Sequence, residues 1–458
     1  MRDLLVFGVV MGCLPIAFRR PFVGLLLFSW LAYMRPQDLC WSFARDMRFS
    51  FLVGLTMLVG WFVHEAQIRK FWRLDVRTGA MLALVGLTTI SLLLARQNLN
   101  NDYVMRYFFE FVKIIVVALF TTGQVDSKRR LRLLLWTICI CLAFFGVKGG
   151  VFGVLNGGGT ILRGPGGMLE DNNDFALALV MNIPLMFYLG RTENVQWLRR
   201  LTDLAVVLTL VTVLLTHSRG GFLAAVATLL VMAWRSRRLG QAFVVVSLAT
   251  VAFFLLAPDH VVDRIASIGQ GGAEASASAR LRAWGAALSM IEDHPWLGVG
   301  LRNFQYHFGQ YSPMAEGERL AFVAHNSFLQ IWAESGTIAF VVYMTMLASV
   351  LVTCRYLRRL GSQRAEFLWI RNYALMFEAT TVGFLVGAFF LNRGHFDLVY
   401  HWVALTSCLL MVARREVVLT PAADSPTAAQ DQPTGIQVRR RSRGGGASGA
   451  KLVPRWGR

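Results

Sequence analysis

The sequence is poor in acidic residues and lacks the motifs of common soluble enzymes. It has 27 Asp and Glu against 46 Lys and Arg, and only 16% of its 458 residues are charged. Its six cysteines form no CxxC pair and have no histidine at ligand spacing, which argues against a disulfide framework or a zinc site. The glycine-rich stretch 146–167 lacks the G-K-[ST] ending of a phosphate loop. It therefore predicts a helix end that continues into a flexible external loop.

Apolar runs recur along most of the chain, and 55% of the residues are hydrophobic. The sequence therefore predicts an all-α polytopic membrane protein with about twelve to thirteen transmembrane helices. The first run, 4–18, is followed by Arg19, Arg20 and Pro21 without a small-residue cleavage site, so it is interpreted as a retained membrane segment. Segments 4–18 and 21–34 are short and are compatible with two tilted spans or with a hairpin that does not fully cross.

The net charge of +19 is interpreted as a topology signal, and we expect no nucleic-acid partner. Lys and Arg are concentrated in alternate short loops, which the positive-inside rule assigns to the cytoplasm. The predicted division is N-terminal membrane helices (1–257), a large periplasmic loop (258–328), C-terminal membrane helices (329–414) and a basic cytoplasmic tail (415–458). The composition of the tail predicts disorder and contact with anionic lipids.

Within the periplasmic loop, SASARLRAWGAALSMIEDHP predicts an amphipathic helix. Leu281, Trp284, Leu288 and Ile291 recur at helical spacing, Ser278 is a plausible N-cap, and Pro295 should end the helix. A helix lying flat on the membrane would use the same apolar stripe, with its arginines reaching the headgroups.

Three basic side chains are expected at the same external membrane surface. Arg219 lies in SRGGFL, Arg280 lies in the predicted helix, and His325 lies in HNSFLQ immediately before an apolar run. Because an arginine on the external side is not required by the topology rule, their convergence indicates an anion site.

The same three elements resemble the signature of the O-antigen ligase and polymerase superfamily. The resemblance also includes Asp171-Asn172-Asn173-Asp174 before a helix containing Pro184, and His294-Pro295-Trp296-Leu297-Gly298-Val299-Gly300. The opening stretch FVGLLLFSWLAYMRPQDLCWSFA is similar to the O-glycosylation ligases that accompany exosortase systems. The resemblance implies a polyprenyl-diphosphate-linked glycan donor and a requirement for neither a nucleotide nor a metal, so no cofactor is expected.

On this resemblance, His325 is the expected general base, since an imidazole with a pKa near 6.5 is poised to accept a proton. Arg219 and Arg280 are expected to bind the diphosphate and to stabilise the leaving group. Direct displacement would invert the anomeric configuration. Weaker candidates for substrate binding are Arg282, Arg302, Arg264 and Asn326, and Asn326 and Ser327 are also plausible capping residues.

The expected function is transfer of a glycan en bloc to an acceptor hydroxyl on the periplasmic side of a bacterial inner membrane. The acceptor is a lipid A-core sugar or a protein Ser or Thr, and membrane lipids are the remaining expected partners. The alternatives are a polymerase of the same superfamily and a lipid-linked oligosaccharide flippase or transporter. Among charges in apolar runs, Glu110 and Lys113 are expected to pair inside the bundle, whereas the sequence identifies no partner for Glu378.

Overall fold

The computed structural model describes residues 1–95, 101–156, 158–236, 272–312 and 323–419, with only the backbone of residues 272–277. Within these ranges the chain forms α-helices and short 3-10 turns, and its β-type pairing is limited to an isolated bridge between Arg163 and Asp171. The predicted all-α class is confirmed for this part of the chain.

The described helices number fifteen in chain order. They are α1 (Arg2–Arg19), α2 (Pro21–Tyr33), α3 (Phe43–Asp46), α4 (Phe49–His64), α5 (Val76–Leu94), α6 (Asp102–Gln124), α7 (Lys128–Leu155), α8 (Asn172–Thr192), α9 (Gln196–Leu215), α10 (Arg219–Ser236), α11 (Gly272–Asp293), α12 (Phe304–Tyr311), α13 (Ser327–Leu360), α14 (Leu368–Ala388) and α15 (Asp397–Leu419).

Four of these helices, α5, α7, α8 and α13, are long and apolar enough to cross a membrane, and α2 and α4 are apolar but shorter. Together with the apolar composition, they identify a membrane protein. The total of twelve to thirteen spans stays a prediction, because only four of the described helices qualify and residues 237–271 lie outside the described part of the chain. The first two helices are 18 and 13 residues long, and neither is among the four.

Helix α8 lies at the centre of the described bundle, where every residue from Asp174 to Met186 is buried. It packs against α7, α9, α10 and α14. Buried polar side chains bond to backbone carbonyls of neighbouring helices: Asn182 Nδ2 donates to Cys139 O at 3.1 Å, and Thr380 Oγ1 donates to Met181 O at 3.0 Å. Such interhelical hydrogen bonds satisfy polar groups that the apolar interior would otherwise penalise.

The glycine-rich stretch 146–167 begins inside α7 and continues into the loop after this helix. Its first part lies inside α7 and faces α9, where a Cβ on Gly146 would lie 2.2 Å from Thr209 Oγ1 and one on Gly150 would lie 2.2 Å from Leu208 O. Small residues at this spacing allow two helices to approach closely. The predicted helix end within this stretch is confirmed, because α7 ends at Leu155 and a loop follows.

Helix α13 is interrupted at Gly336, where the backbone φ is 81°. The segment 295–300 lies beside this break, after α11 has ended at Asp293 as the position of Pro295 predicts. The two segments are joined by backbone hydrogen bonds from Val299 N to Ala333 O at 2.9 Å, from Gly300 N to Glu334 O at 3.0 Å and from Thr337 N to Pro295 O at 2.8 Å.

Three charged side chains in apolar helices, Glu378, Glu110 and Lys113, form ion pairs with other described residues. Glu378 of α14 pairs with Arg235 at 2.5 Å and with Arg358 at 3.1 Å, which joins the last turns of α10 and α13. The predicted pair of Glu110 and Lys113 is confirmed at 2.7 Å, although it lies on the outside of the bundle and not within it.

The compact unit of the chain comprises Met1–Arg415, and the second unit is Glu416–Arg458, of which residues 416–419 are described as helix. The predicted basic tail therefore lies almost entirely outside the described residues.

Candidate functional site

His325 lies immediately before α13 with its side chain exposed. Its backbone φ is 46°, a left-handed conformation that is uncommon for a residue other than glycine. The next residue, Asn326, caps the helix, because its Oδ1 accepts hydrogen bonds from Phe328 N at 3.0 Å and Leu329 N at 3.2 Å. The capping role predicted for Asn326 is confirmed, and its carbonyl oxygen is already occupied by the helix start.

Ser327 connects the start of α13 to the segment that follows α14. Its Oγ donates to Leu391 O at 2.6 Å and accepts a hydrogen bond from Arg393 N at 2.7 Å. The guanidinium of Arg393 pairs with the buried carboxylate of Asp174 in the first turn of α8. Burial alone would lower the pKa of Arg393, but the hydrogen bond and charge of Asp174 raise it. Arg393 thus links the starts of α13 and α8.

The start of α8 also contacts the start of α10. Asp171 caps α8, since its Oδ1 accepts a hydrogen bond from Asn173 N at 2.9 Å. Asn173 Oδ1 in turn accepts a hydrogen bond from Ser218 Oγ at 2.7 Å, and Ser218 Oγ accepts one from Gly221 N at 3.0 Å. The polar residues at the start of α8 therefore fix its position relative to both α10 and α13.

Arg219 is the first residue of α10, and its side chain is exposed. The two glycines after it let the helix approach its neighbours: a Cβ on Gly221 would lie 2.6 Å from the Cβ of Ala176 in α8, and one on Gly220 would lie 3.1 Å from the Cβ of Phe390. The glycines of SRGG are thus required for packing, and the arginine remains available to solvent or to a ligand.

Helix α11 differs from the predicted amphipathic helix in its start and in its buried face. It begins at Gly272, so Ser278 lies inside the helix and is not its N-cap. Of the predicted apolar stripe, Leu281 and Leu288 are 63% and 48% exposed on the protein surface, where a membrane-facing stripe would lie, whereas Ile291 is buried. The face that packs against the protein consists of Ala283, Ala286, Ala287, Met290 and Ile291. Alanines occupy it because α11 packs directly against α13, where small side chains permit a short distance between helices.

Trp284 holds α11 beside the segment that contains His325. Its Nε1 donates to Ala324 O at 2.9 Å, and its ring meets Phe389 edge to face at 5.4 Å. Arg280 lies one helical turn before Trp284 and therefore on the same side of α11.

The charges of the three predicted site residues interact. Two effects lower the pKa of His325: neighbouring atoms desolvate its ring, even though the residue is exposed, and the positive charge of Arg280 disfavours the imidazolium. The negative charge of Asp171 acts in the opposite direction. The pKa of Arg280 is lowered by burial and by the charge of Arg219. The structure therefore brings Arg280 within electrostatic range of both His325 and Arg219.

The starts of α8, α10 and α13 meet at this place. The helix dipoles make such helix starts favourable for anions, while the side chains of Asp171, Ser218 and Asn326 accept hydrogen bonds from some of their backbone N–H groups. With the positive charges of Arg219 and Arg280, the arrangement can bind a dianion, while an imidazole with a lowered pKa can accept a proton beside it.

The weaker candidates lie in different surroundings. Arg282 is exposed on α11, and Arg264 lies outside the described residues. The guanidinium of Arg302 lies over the ring of Tyr107, 3.8 Å from its centroid, and its charge acts on His395. Burial lowers the pKa of His395 to about 3. Within the described part of the chain, no group of three or more His, Cys, Asp or Glu side chains is arranged to hold a metal ion.

Arg393 and Asp174 were not predicted as site residues, although they hold the site together. Asp174 belongs to the motif that the sequence placed before a helix, but its partner lies 219 positions away. Arg393 could have been found by the argument that identified Arg219, because both are arginines outside the predicted cytoplasmic loops.

Two family models match the chain. Residues 204–344 match the model described as O-antigen ligase, and residues 1–194 match one described as a family of unknown function (DUF5935). A search of curated proteins found no match. The first match includes Arg219, Arg280 and His325, whereas Asp171 and Asp174 lie in the second match and Arg393 lies outside both.

Proposed function

Because this chain belongs to the O-antigen ligase/polymerase superfamily, we propose that it is a membrane glycosyltransferase of the ligase type. It transfers a glycan from a polyprenyl-diphosphate carrier to an acceptor hydroxyl, a lipid A-core sugar or a protein Ser or Thr. The reaction takes place on the periplasmic face of a bacterial inner membrane. The narrower resemblance to exosortase-associated O-glycosylation ligases stays a prediction.

The observation that carries this proposal is the meeting of the starts of α8, α10 and α13, which contacts of Asn173 with Ser218 and of Asp174 with Arg393 hold together. Trp284 of α11 bonds to Ala324 beside His325, and the charge of Arg280 on the same helix acts on His325. A diphosphate needs several positive groups, and a hydroxyl nucleophile needs a base. Both requirements are supported by residues that lie within the O-antigen ligase match.

In the proposed reaction, His325 accepts the proton of the acceptor hydroxyl while the hydroxyl oxygen attacks the anomeric carbon. The bond between this carbon and the phosphate oxygen breaks, and the diphosphate leaves on its carrier with inverted configuration at the sugar. Because desolvation and the charge of Arg280 lower the pKa of His325, its ring favours the neutral form that can accept a proton. Arg219 and Arg280 stabilise the charge that develops on the leaving diphosphate.

The test is reconstitution with a polyprenyl-diphosphate glycan and separate acceptors, comparing wild type, His325→Ala and His307→Ala. His307 is a partly buried histidine whose Nδ1 lies 3.1 Å from Gln310 Oε1, and it has no part in the proposed reaction, so its variant should retain activity. His325→Ala should lose about 10²- to 10⁴-fold in transfer rate, the usual contribution of a general base.

Undiminished transfer by His325→Ala would contradict the proposed base. Transfer only to a second carrier-linked glycan would identify a polymerase instead of a ligase. Movement of the donor across the bilayer without transfer to any acceptor would identify a flippase.

A further inference from the structure

Arg302 lies in a tight turn that is fixed to α13. Gly300 N donates to Glu334 O at 3.0 Å, and Asn303 Nδ2 closes the turn by donating to Val299 O at 2.8 Å. Arg302 itself has a φ of 60°, a left-handed conformation that costs free energy in a residue other than glycine. The backbone of Arg302 is therefore held in one position by contacts on both sides of it.

The guanidinium of Arg302 has an aromatic ring against one face and no acceptor at its edge. Its Cζ lies 3.8 Å from the ring centroid of Tyr107 and 5.8 Å from that of Tyr103. The charge of Arg302 acts on the buried Glu334, but the carboxylate of Glu334 accepts a hydrogen bond from Gln330 Nε2. Among the described residues, the side chain of Arg302 forms neither a hydrogen bond nor an ion pair. Because a guanidinium carries five N–H donors, its edge is available to a ligand.

Two exposed tyrosine rings lie beside this arginine and are fixed to each other. Tyr103, in the first turn of α6, is 49% exposed, and Tyr306 of α12 is 56% exposed. Asn101 joins them, since its Oδ1 accepts a hydrogen bond from Tyr103 N at 3.0 Å and its Nδ2 donates to Tyr306 Oη at 3.1 Å. Rings that the fold already holds in place lose little conformational freedom when a ligand packs on them.

This group of residues lies beside the same segment of α13 as the candidate site. Gln330 connects the two places: its Oε1 accepts a hydrogen bond from Ala324 N at 3.0 Å, next to His325, and its Nε2 donates to Glu334. Asn326 and Glu334 are eight residues apart, which corresponds to about 12 Å of helix. A glycan of several sugar units can therefore react beside His325 while another of its units lies at Arg302.

We propose that Arg302, Tyr103 and Tyr306 form a saccharide-binding subsite, which holds one sugar unit of the transferred glycan or of a sugar acceptor at a distance from the reacting bond. The tyrosine rings pack on the apolar C–H face of the sugar, and the guanidinium donates two parallel hydrogen bonds to a carboxylate or to neighbouring hydroxyl groups. This inference rests on the proposed function. The three residues contribute affinity and take no part in bond breaking.

The first test measures binding without transfer. Two probes are titrated separately into the purified protein in detergent by calorimetry: the free oligosaccharide released from the donor by mild acid, and the sugar acceptor without donor. Arg302→Gln should raise the Kd of the probe that binds wild type about tenfold or more, the effect of losing hydrogen bonds from a charged group. Arg302→Lys should also weaken binding, because an ammonium group lacks the planar fork.

Tyr103→Ala should raise the same Kd about two- to tenfold, the range of an aromatic contact. Tyr103→Phe keeps the ring and should bind as wild type does, which separates loss of the stacking face from loss of folding. Tyr356→Ala is the matched control: Tyr356 is 45% exposed in the later part of α13, and the guanidinium of Arg414 lies 5.8 Å from its ring centroid. This variant should keep the wild-type Kd.

Three results would overturn the proposal: no saturable binding of either probe to wild type, unchanged affinity in Arg302→Gln and Tyr103→Ala, or an equal loss in Tyr356→Ala. The exposed tyrosines would then be anchors at the membrane interface, where such rings are common.

The second test is the kinetics of transfer. In Arg302→Gln and Tyr103→Ala the half-saturating concentration of one substrate should rise by the same factors as the Kd, while the plateau rate stays within about twofold of wild type, as expected for loss of binding that the ground state and the transition state share. A rise for the donor assigns the subsite to the transferred glycan, and a rise for the acceptor assigns it to the acceptor sugar.

This inference and the proposed function can fail separately. If His325→Ala retains full transfer, the proposed function fails, while the affinity for the free saccharides still decides whether Arg302 and Tyr103 bind sugar. If His325 is essential but both half-saturating concentrations stay unchanged in Arg302→Gln and Tyr103→Ala, this inference alone fails.

Discussion

Arg280 affects the proposed reaction in two ways that substitution can separate. Arg280→Gln removes its charge, and the pKa of His325 should rise because Arg280 lowers it. The acidic limb of the pH profile of transfer should then move to higher pH, where more of the base becomes neutral. The plateau rate should also fall about 10²- to 10³-fold, as expected for losing one donor to the developing charge. The measurement is the initial transfer rate from about pH 5 to pH 8, the range in which histidine titrates.

Arg280→Lys is the control for charge. It keeps a positive group near His325, so the acidic limb should stay close to its wild-type position. The plateau rate should still fall, because an ammonium group lacks the planar fork that binds two phosphate oxygens. An acidic limb that does not move in Arg280→Gln would show that this arginine does not tune the base.

At the level of secondary-structure elements, the contact between the 295–300 segment and the break in α13 depends on two glycines. A Cβ on Gly298 would lie 2.4 Å from Glu334 C, and one on Gly336 would lie 2.1 Å from Trp296 O; both glycines have positive φ. Gly298→Ala and Gly336→Ala should each destabilise the protein by more than the roughly 1–3 kcal/mol of backbone strain alone. The measurement is the thermal unfolding midpoint in detergent.

Gly285→Ala is the matched control, because Gly285 lies in α11 with no atom within 4 Å of an added Cβ. This change should stabilise the helix by roughly 0.5–1 kcal/mol, the cost of glycine relative to alanine in a helix. Equal unfolding midpoints for all three variants would show that the 295–300 segment does not support α13.

The elements that local signals define were predictable, and those that depend on distant contacts were not. Pro295 correctly marked the end of α11, and Asn326 correctly suggested a helix cap, because both effects act within one turn. The alanine face that packs α11 against α13 was not predicted, since periodicity gives most weight to large apolar residues and little to the alanines that close packing requires. The pairing of Arg393 with Asp174 could not be predicted, because an ion pair across 219 positions leaves no local pattern.

At the scale of the whole molecule, α10 and α13 carry site residues near their starts and share an ion network near their ends. Arg235 lies 16 residues after Arg219, which corresponds to about 24 Å of helix. Glu378 joins Arg235 to Arg358 and so holds the far ends of both helices against α14. The network is thus separate from the site, and its contribution to stability should be separable from transfer.

Glu378→Gln should leave two partly buried guanidinium groups without a carboxylate. The expected loss of stability is about 3 kcal/mol, the lower end for removing one partner of a buried pair, because the arginine side chains remain 24% and 20% exposed. Glu366→Gln is the control, since its pair with Arg364 is exposed and should contribute less than about 1 kcal/mol. Thermal unfolding in detergent measures the change in stability. The transfer rate, measured at temperatures well below the unfolding midpoint, should stay within about twofold of wild type, because the substitution lies about 24 Å along α10 from Arg219. Transfer lost at unchanged stability would mean that Glu378 acts on the site itself and not through the packing of α10, α13 and α14.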